Sequence, residues 1–215
     1  MTGAVSTEAA DRAGDLTPDP SAAARVPALS AWWVLISGLI GLAASMALTV
    51  EKIDILLDPS YTPSCNINPI LSCGSVMITP QASLLGFPNP LLGLVAFTVV
   101  VVTGVLALTK VALPQWYWVG LTIGVAVGAV FVHWLIFQSL YRINALCPYC
   151  MVVWAVTMSL LVVVVSIAYR PISQRRQAGF GSALLQWRWS VAALWFTAVF
   201  LLIMARFWDY WSTLL

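Results

Sequence analysis

The chain predicts an all-α, multi-pass membrane protein with five transmembrane helices. Two observations carry this. Of 215 residues 61% are hydrophobic and only 8% charged, a composition that excludes an ordinary soluble domain. The apolar residues also gather into five long runs, at 31–50, 90–113, 116–140, 146–169 and 189–208, and a helix needs about 20 such residues to cross the bilayer core. The net charge is +2, with basic residues scattered along the chain, so there is no stripe of positive charge for a nucleic acid.

Taken in order, residues 1–28 are rich in Ala, Pro, Asp, Ser and Thr without apolar periodicity and read as a disordered, solvated tail. The run 31–50 is too long for the apolar part of a cleaved signal and stays as an anchor. Residues 51–89 form an outer loop too long to be a simple connector. It starts with Glu51, Asp54 and Asp58, passes Pro59, Pro63, Cys65 and Cys73, and reaches a partly apolar stretch, 74–85. That stretch is expected to lie as a short amphipathic helix over the bundle mouth, before Gly86, Phe87, Pro88, Asn89 and Pro90 turn the chain back. In the third run Gly120, Gly124 and Gly128 recur at a spacing that permits close helix approach, a packing signal. Trp116, Tyr117, Trp118, Trp187, Trp189, Trp208, Tyr210 and Trp211 stand where helices leave the bilayer, as an aromatic belt predicts.

Orientation follows from Lys and Arg, which favour the cytoplasmic side. Arg170, Arg175, Arg176 and Arg188 mark the connection before the fifth run as inside, together with Lys110, Arg12 and Arg25; Lys52, Arg142 and Arg206 fall outside. The protein is thus expected in a cell inner (plasma) membrane, its N-terminus cytoplasmic and its C-terminus and all four cysteines on the exoplasmic side, where disulfides persist.

Those cysteines carry the chemistry. Cys147, Pro148, Tyr149 and Cys150 make a CxxC at the start of the fourth run. With Cys147 as helix cap, Pro148 takes the first helical position, where its missing N–H costs nothing, and the sulfurs come to neighbouring positions. The helix dipole and the CxxC arrangement both lower a thiol pKa, and the thiolate is the form that attacks disulfides. Zinc fits less well, because a zinc ribbon uses two short CxxC knuckles and Cys65 to Cys73 spans seven intervening residues. Alone, Cys65 and Cys73 read as a static loop disulfide; beside a CxxC at the same membrane surface they become a partner for thiol exchange.

The stretch Cys65-Asn-Ile-Asn-Pro-Ile-Leu-Ser-Cys73-Gly-Ser-Val, then Asn89 followed by Gly93, and a CxxC opening a membrane helix resemble the bacterial branch of the vitamin K epoxide reductase family. The resemblance spans roughly residues 31 to 169. It implies four helices around a quinone site and a relay in which Cys65 exchanges with a partner, Cys73 passes reducing equivalents to Cys147, and Cys150 reduces the quinone, menaquinone or ubiquinone. It also implies that Asn89 hydrogen-bonds a quinone carbonyl, its local alternative being a turn residue before Pro90. Where the family carries an aromatic hydroxyl one turn below the second CxxC cysteine, this chain has Trp154, an indole that donates one hydrogen bond but differs in shape. Bacterial relatives often continue into a fused thioredoxin-like domain; only seven residues follow Trp208 here, so a separate thioredoxin-like protein is the expected partner, and disulfide formation in exported proteins the expected role. No metal is expected.

Helical rise also sets His133 and Phe137 on the third run at the depth of Cys150 and Trp154, as candidates for the same cavity. An intramembrane ionisable residue is a functional candidate, although a neutral imidazole bonded to a neighbouring helix is the preferred reading of His133, and packing that of Phe137. Three rival readings remain. A metal-binding membrane transport or chaperone protein predicts bound metal and reduced thiols, and an inert scaffold predicts a silent Cys150. The analogous four-helix quinone-linked catalyst predicts the opposite order of cysteine pairs.

Overall fold

A computed structural model describes residues 26–84, 86–175 and 186–213, with backbone alone for 170–175. The predicted tail up to residue 25 and much of the basic connection before the fifth run lie outside the described residues. Five helices are long and apolar enough to cross a membrane, and the protein is an all-α, multi-pass membrane protein.

The first, α1 (Ala28–Leu57), runs seven residues beyond the predicted apolar stretch. This carries Glu51 and Lys52 into helix rather than loop, and both are buried. The loop stretch 74–85 is not one helix. A short α2 (Cys73–Met77) and a 3₁₀ turn (Pro80–Ser83) are separated at Ile78 and Thr79. Pro80 cannot donate to a continuing helix, and it pushes Thr79 into an extended conformation, with ψ at 152°.

Next comes α3 (Pro90–Leu108), shorter than its apolar run. Lys110 adopts φ +59°, Val111 N–H donates to the Leu106 carbonyl (3.0 Å) and Lys110 N–H to that of Ala107 (3.3 Å). This double bond pattern closes the helix C-terminus. After α4 (Gln115–Gln138), a π-helical turn (Ser139–Ile143) ends at Asn144 in the left-handed region, which Asn tolerates. Pro148 then opens α5 (Pro148–Arg175), and α6 (Arg188–Arg206) and the single turn α7 (Trp208–Trp211) complete the described chain.

Packing is uneven. α1 seats against both α3 and α5, and α4 against α5. One core cluster joins Val34, Val100, Trp118, Leu160, Val164 and Ile167 at the end away from the cysteines. Trp118 is fully buried there, core rather than belt, whereas Trp116, Trp187 and Trp208 are exposed as a belt requires. Helix α6 lies at the side, only 11% of its most apolar window being buried against 44% in α1.

The α1–α3 seam is tight. A Cβ on Gly104 would stand 2.6 Å from the Leu35 Cα, and one on Gly41 would enter the Phe97 ring. Across the bundle α3 and α4 do not close in this way. They are tied near one end by the Thr103 and Tyr117 hydroxyls (2.6 Å), and elsewhere a gap separates them. The predicted role of Gly120, Gly124 and Gly128 is therefore corrected. A Cβ on Gly120 or Gly124 would meet nothing within 4 Å, and one on Gly128 only Thr157, at 3.9 Å. These glycines face a void, not a helix.

Candidate functional site

The loop between the first two spanning helices is folded by its own asparagines. Asn68 Oδ1 accepts from the Ile70 and Leu71 N–H groups (3.0 and 2.7 Å), and Asn66 Oδ1 accepts from Gly74 N–H and the Ser72 hydroxyl (2.9 and 3.1 Å). Short polar side chains that bond nearby backbone favour such turns. Glu51 holds the approach to Cys65, accepting from the Ser64 N–H and hydroxyl and from the Tyr61 hydroxyl. That bond raises the tyrosine's pKa above its ordinary value.

One parallel bridge aligns the two cysteine regions. Leu146 N–H donates to the Ile70 carbonyl (2.7 Å) and Ser72 N–H to the Leu146 carbonyl (2.9 Å). Cys73 follows one pairing partner and Cys147 the other, so their sulfurs meet. Cys65 and Cys73 form a disulfide, Cys147 and Cys150 are thiols, and Cys147 Sγ lies 3.2 Å from Cys73 Sγ. Cys147 is 1% exposed, Cys73 fully buried and Cys65 5% exposed. Leu48 and Met77 pack around them.

Cys147 caps α5, its sulfur accepting the Cys150 N–H at 3.3 Å. The cap and the Cys150 side chain steady a thiolate. The hydrogen bond from Cys150 is the largest influence and lowers the Cys147 pKa below the ordinary thiol value, against the opposing effect of burial; backbone donors assist and the Glu51 charge resists. A buried group with lowered pKa beside a disulfide sulfur is the arrangement thiol exchange needs.

Below the sulfurs the gap between α3 and α4 opens into a cavity of about 590 Å³, within the range of small-molecule sites. Cys150 and Trp154 line it from α5, Asn89 and Lys52 near its cysteine end, and Gly120, Gly124 and Gly128 along α4. The walls are otherwise mostly apolar, broken by the hydroxyl residues Ser45, Tyr117 and Thr157, and Lys52, Asn89 and Trp154 bring N–H donors. Trp154 is 3% exposed and its Nε1–H has no partner. Asn89 spends its amide oxygen on Leu84 N–H (3.1 Å) and one amide hydrogen on the Gln81 carbonyl (2.7 Å), keeping one donor free. Such a cavity fits a flat apolar molecule with acceptor oxygens, as a quinone is.

His133 and Phe137 are not brought to it. Both are exposed on another face of α4. Trp195 Nε1–H of α6 donates to His133 Nε2 (2.8 Å) while Nδ1 pairs with the Ala129 carbonyl (2.7 Å), a pattern that needs one ring proton, on Nδ1. Phe137 packs at a tilt against Tyr141, centroids 5.3 Å apart. Equal depth put these residues level with the cavity; helix rotation, which depth does not report, turned them away. Conversely Glu51, Lys52, Asn66 and Asn68 were not singled out as site residues. The Asn-x-Asn spacing between the cysteines and two adjacent ionisable residues at the end of an apolar run were the signals available. Among the described residues no group of three or more His, Cys, Asp or Glu could hold a metal ion.

A helical membrane bundle that sets a disulfide against a CxxC dithiol, over an apolar cavity, falls in the class of membrane thiol oxidoreductases. A family model described as the vitamin K epoxide reductase family matches residues 32–165, more than half of the chain, and the chain belongs to that family. Among curated proteins no match is found.

Proposed function

We propose that this oxidoreductase draws electrons from a separate thioredoxin-like protein on the exoplasmic side of a cell membrane and delivers them through its two cysteine pairs to a quinone, sustaining disulfide formation in exported proteins. The contact of Cys73 and Cys147 Sγ at 3.2 Å is the observation that carries the reading. The partner's dithiol reduces the Cys65–Cys73 disulfide and leaves as a disulfide. The Cys73 thiolate attacks Cys147 of an oxidised CxxC, releasing the Cys150 thiolate; Cys65 then attacks Cys73 and releases Cys147. Two electrons have moved inward, and the loop pair is again a disulfide above a reduced CxxC, the state described here.

A quinone bound in the cavity accepts two electrons and two protons, which one dithiol supplies on closing to a disulfide. Cys150, lining the cavity, faces this acceptor, and Trp154 and Asn89 offer their free N–H donors to its oxygens. The void along Gly120, Gly124 and Gly128 leaves room for an apolar tail. Cys65 is buried in this state, so exchange with a partner requires the segment 58–65 to lift, against the anchoring bonds to Glu51. The metal-binding rival loses support, because a disulfide withdraws two of the four thiolates it needs.

The test combines purified protein, a reduced thioredoxin-like donor and a menaquinone analogue, with quinol formation followed by absorbance. The parent and each single Cys→Ser variant are compared; four variants as fast as the parent would defeat the relay.

A further inference from the structure

Lys52 sits on the last turns of α1, is 9% exposed, and lines the cavity with Asn89 and Cys150. Burying an ammonium is costly unless it is paired. Its acidic neighbour in sequence, Glu51, is turned to Ser64 and Tyr61 instead. Among the described residues the only hydrogen-bond partner of Lys52 is a neutral one, the Met77 carbonyl at 2.7 Å. An ammonium carries three donors, so two are left. With the partnerless Trp154 indole and the free Asn89 hydrogen, Lys52 gives the cavity lining three N–H donor groups, one of them charged.

We propose that Lys52 is a further catalytic residue, donating a charge-assisted hydrogen bond to a quinone oxygen and stabilising the negative charge that gathers there as electrons arrive from the Cys147–Cys150 dithiol. The proposal rests on the quinone reading above and adds to it the residue that favours the reduced form. Charged donors contribute more than neutral ones, and a donor preorganised toward developing charge acts most strongly in the reaction itself. Lys52 also ties the end of α2 to α1 through Met77, which gives the rival, purely structural role a distinct signature.

Three measurements on the full-length protein in detergent test this. Binding of menadione to a Cys150→Ser background, which cannot turn over, is read by quenching of tryptophan fluorescence. Lys52→Gln and Lys52→Met in that background are expected to weaken binding about 10-fold, and Lys52→Arg to preserve it within about threefold. With all cysteines present, the neutral variants should lose of the order of 100-fold in kcat, with a smaller change in KM. The rate at which dithiothreitol reduces Cys65–Cys73 without quinone should stay at the parent value in all three variants. Equal menadione affinity and kcat in parent and neutral variants, or a parallel slowing of the dithiothreitol step that accounts for the whole loss, overturns the role of Lys52 alone. A parent that neither binds nor reduces menadione overturns the quinone reading, and Lys52 with it.

Discussion

Glycine lines two seams of this bundle and serves opposite ends. Between α1 and α3, Gly41 and Gly104 let backbones approach until no side chain fits, with Leu35 and Phe97 filling the space a Cβ would take. Between α3 and α4, Gly120 and Gly124 touch nothing across a cavity that ends at Cys150. Small residues four apart thus report only that volume has been removed. Whether a helix or a ligand occupies that volume depends on where the opposing helix stands.

The contrast sharpens into experiments. The largest effect belongs to the cysteine end of the open seam. Cys150→Ser should cut quinol formation by about 1000-fold or more without loss of thermal stability. It leaves Cys147 beside Cys73, so a Cys73–Cys147 mixed disulfide should accumulate, visible by peptide mass spectrometry together with an alkylatable Cys65. Finding only Cys65–Cys73 would break the proposed contact.

Filling each seam comes next. Gly124→Phe puts a ring into the void and should raise the KM for a menaquinone analogue roughly 10-fold or more, with the thermal midpoint little changed. Gly104→Ala should do the reverse, costing about 1–3 kcal/mol of stability through overpacking against Leu35 while KM stays at the parent value. Interchanged outcomes would mean that the seams have been assigned the wrong way round.

The pH dependence is a subtler effect. The reverse exchange, in which Cys147 attacks Cys73 and releases Cys65, requires the Cys147 thiolate, whose pKa is lowered chiefly by the Cys150 hydrogen bond. The rate should rise with pH through a midpoint below the ordinary thiol range and fall off in acid. Formation of the Cys73–Cys147 mixed disulfide in Cys150→Ala, which lacks that donor, should show a more alkaline midpoint than in Cys150→Ser, which keeps a hydroxyl. Coincident profiles would remove Cys150 as the cause.

The smallest change is expected from Glu51→Gln. It weakens the acceptor of Ser64 and Tyr61, so amide hydrogen exchange at 60–65 should quicken by roughly 10-fold, the loss of about 1–2 kcal/mol from charged hydrogen bonds. Transmembrane amides should be unaffected.

Much of the site was legible in advance because it is local. The Cys147 cap, Pro148 in the first helical position and the three-residue step to Cys150 follow from helix geometry alone, and hydropathy suffices to bring Cys65 and Cys73 to the same end as the CxxC. Trp154 and Asn89 entered through family resemblance, and both line the cavity. His133 and Phe137 illustrate what depth alone misses. Rise per residue specifies height along α4, but the face presented to α5 or α6 depends on how the helix is rotated in the bundle. Trp118, expected in the belt, was likewise drawn into the core by neighbours invisible to a hydropathy window, and Lys52, read as part of the outer loop, lies buried on α1.

The sequence by itself determined five apolar helices, the end at which the thiols gather and the chemistry they support, since these depend on composition and on spacings of a few residues. Only the tertiary structure decided that Cys73 and Cys147 touch, that α1 continues far enough to bury Lys52, and that the glycines of one seam are sealed while those of the other stay open. Those outcomes are set by long-range packing: a strand-like bridge between Leu71 and Leu146, and a third spanning helix, α4, drawn to α5 rather than to α3.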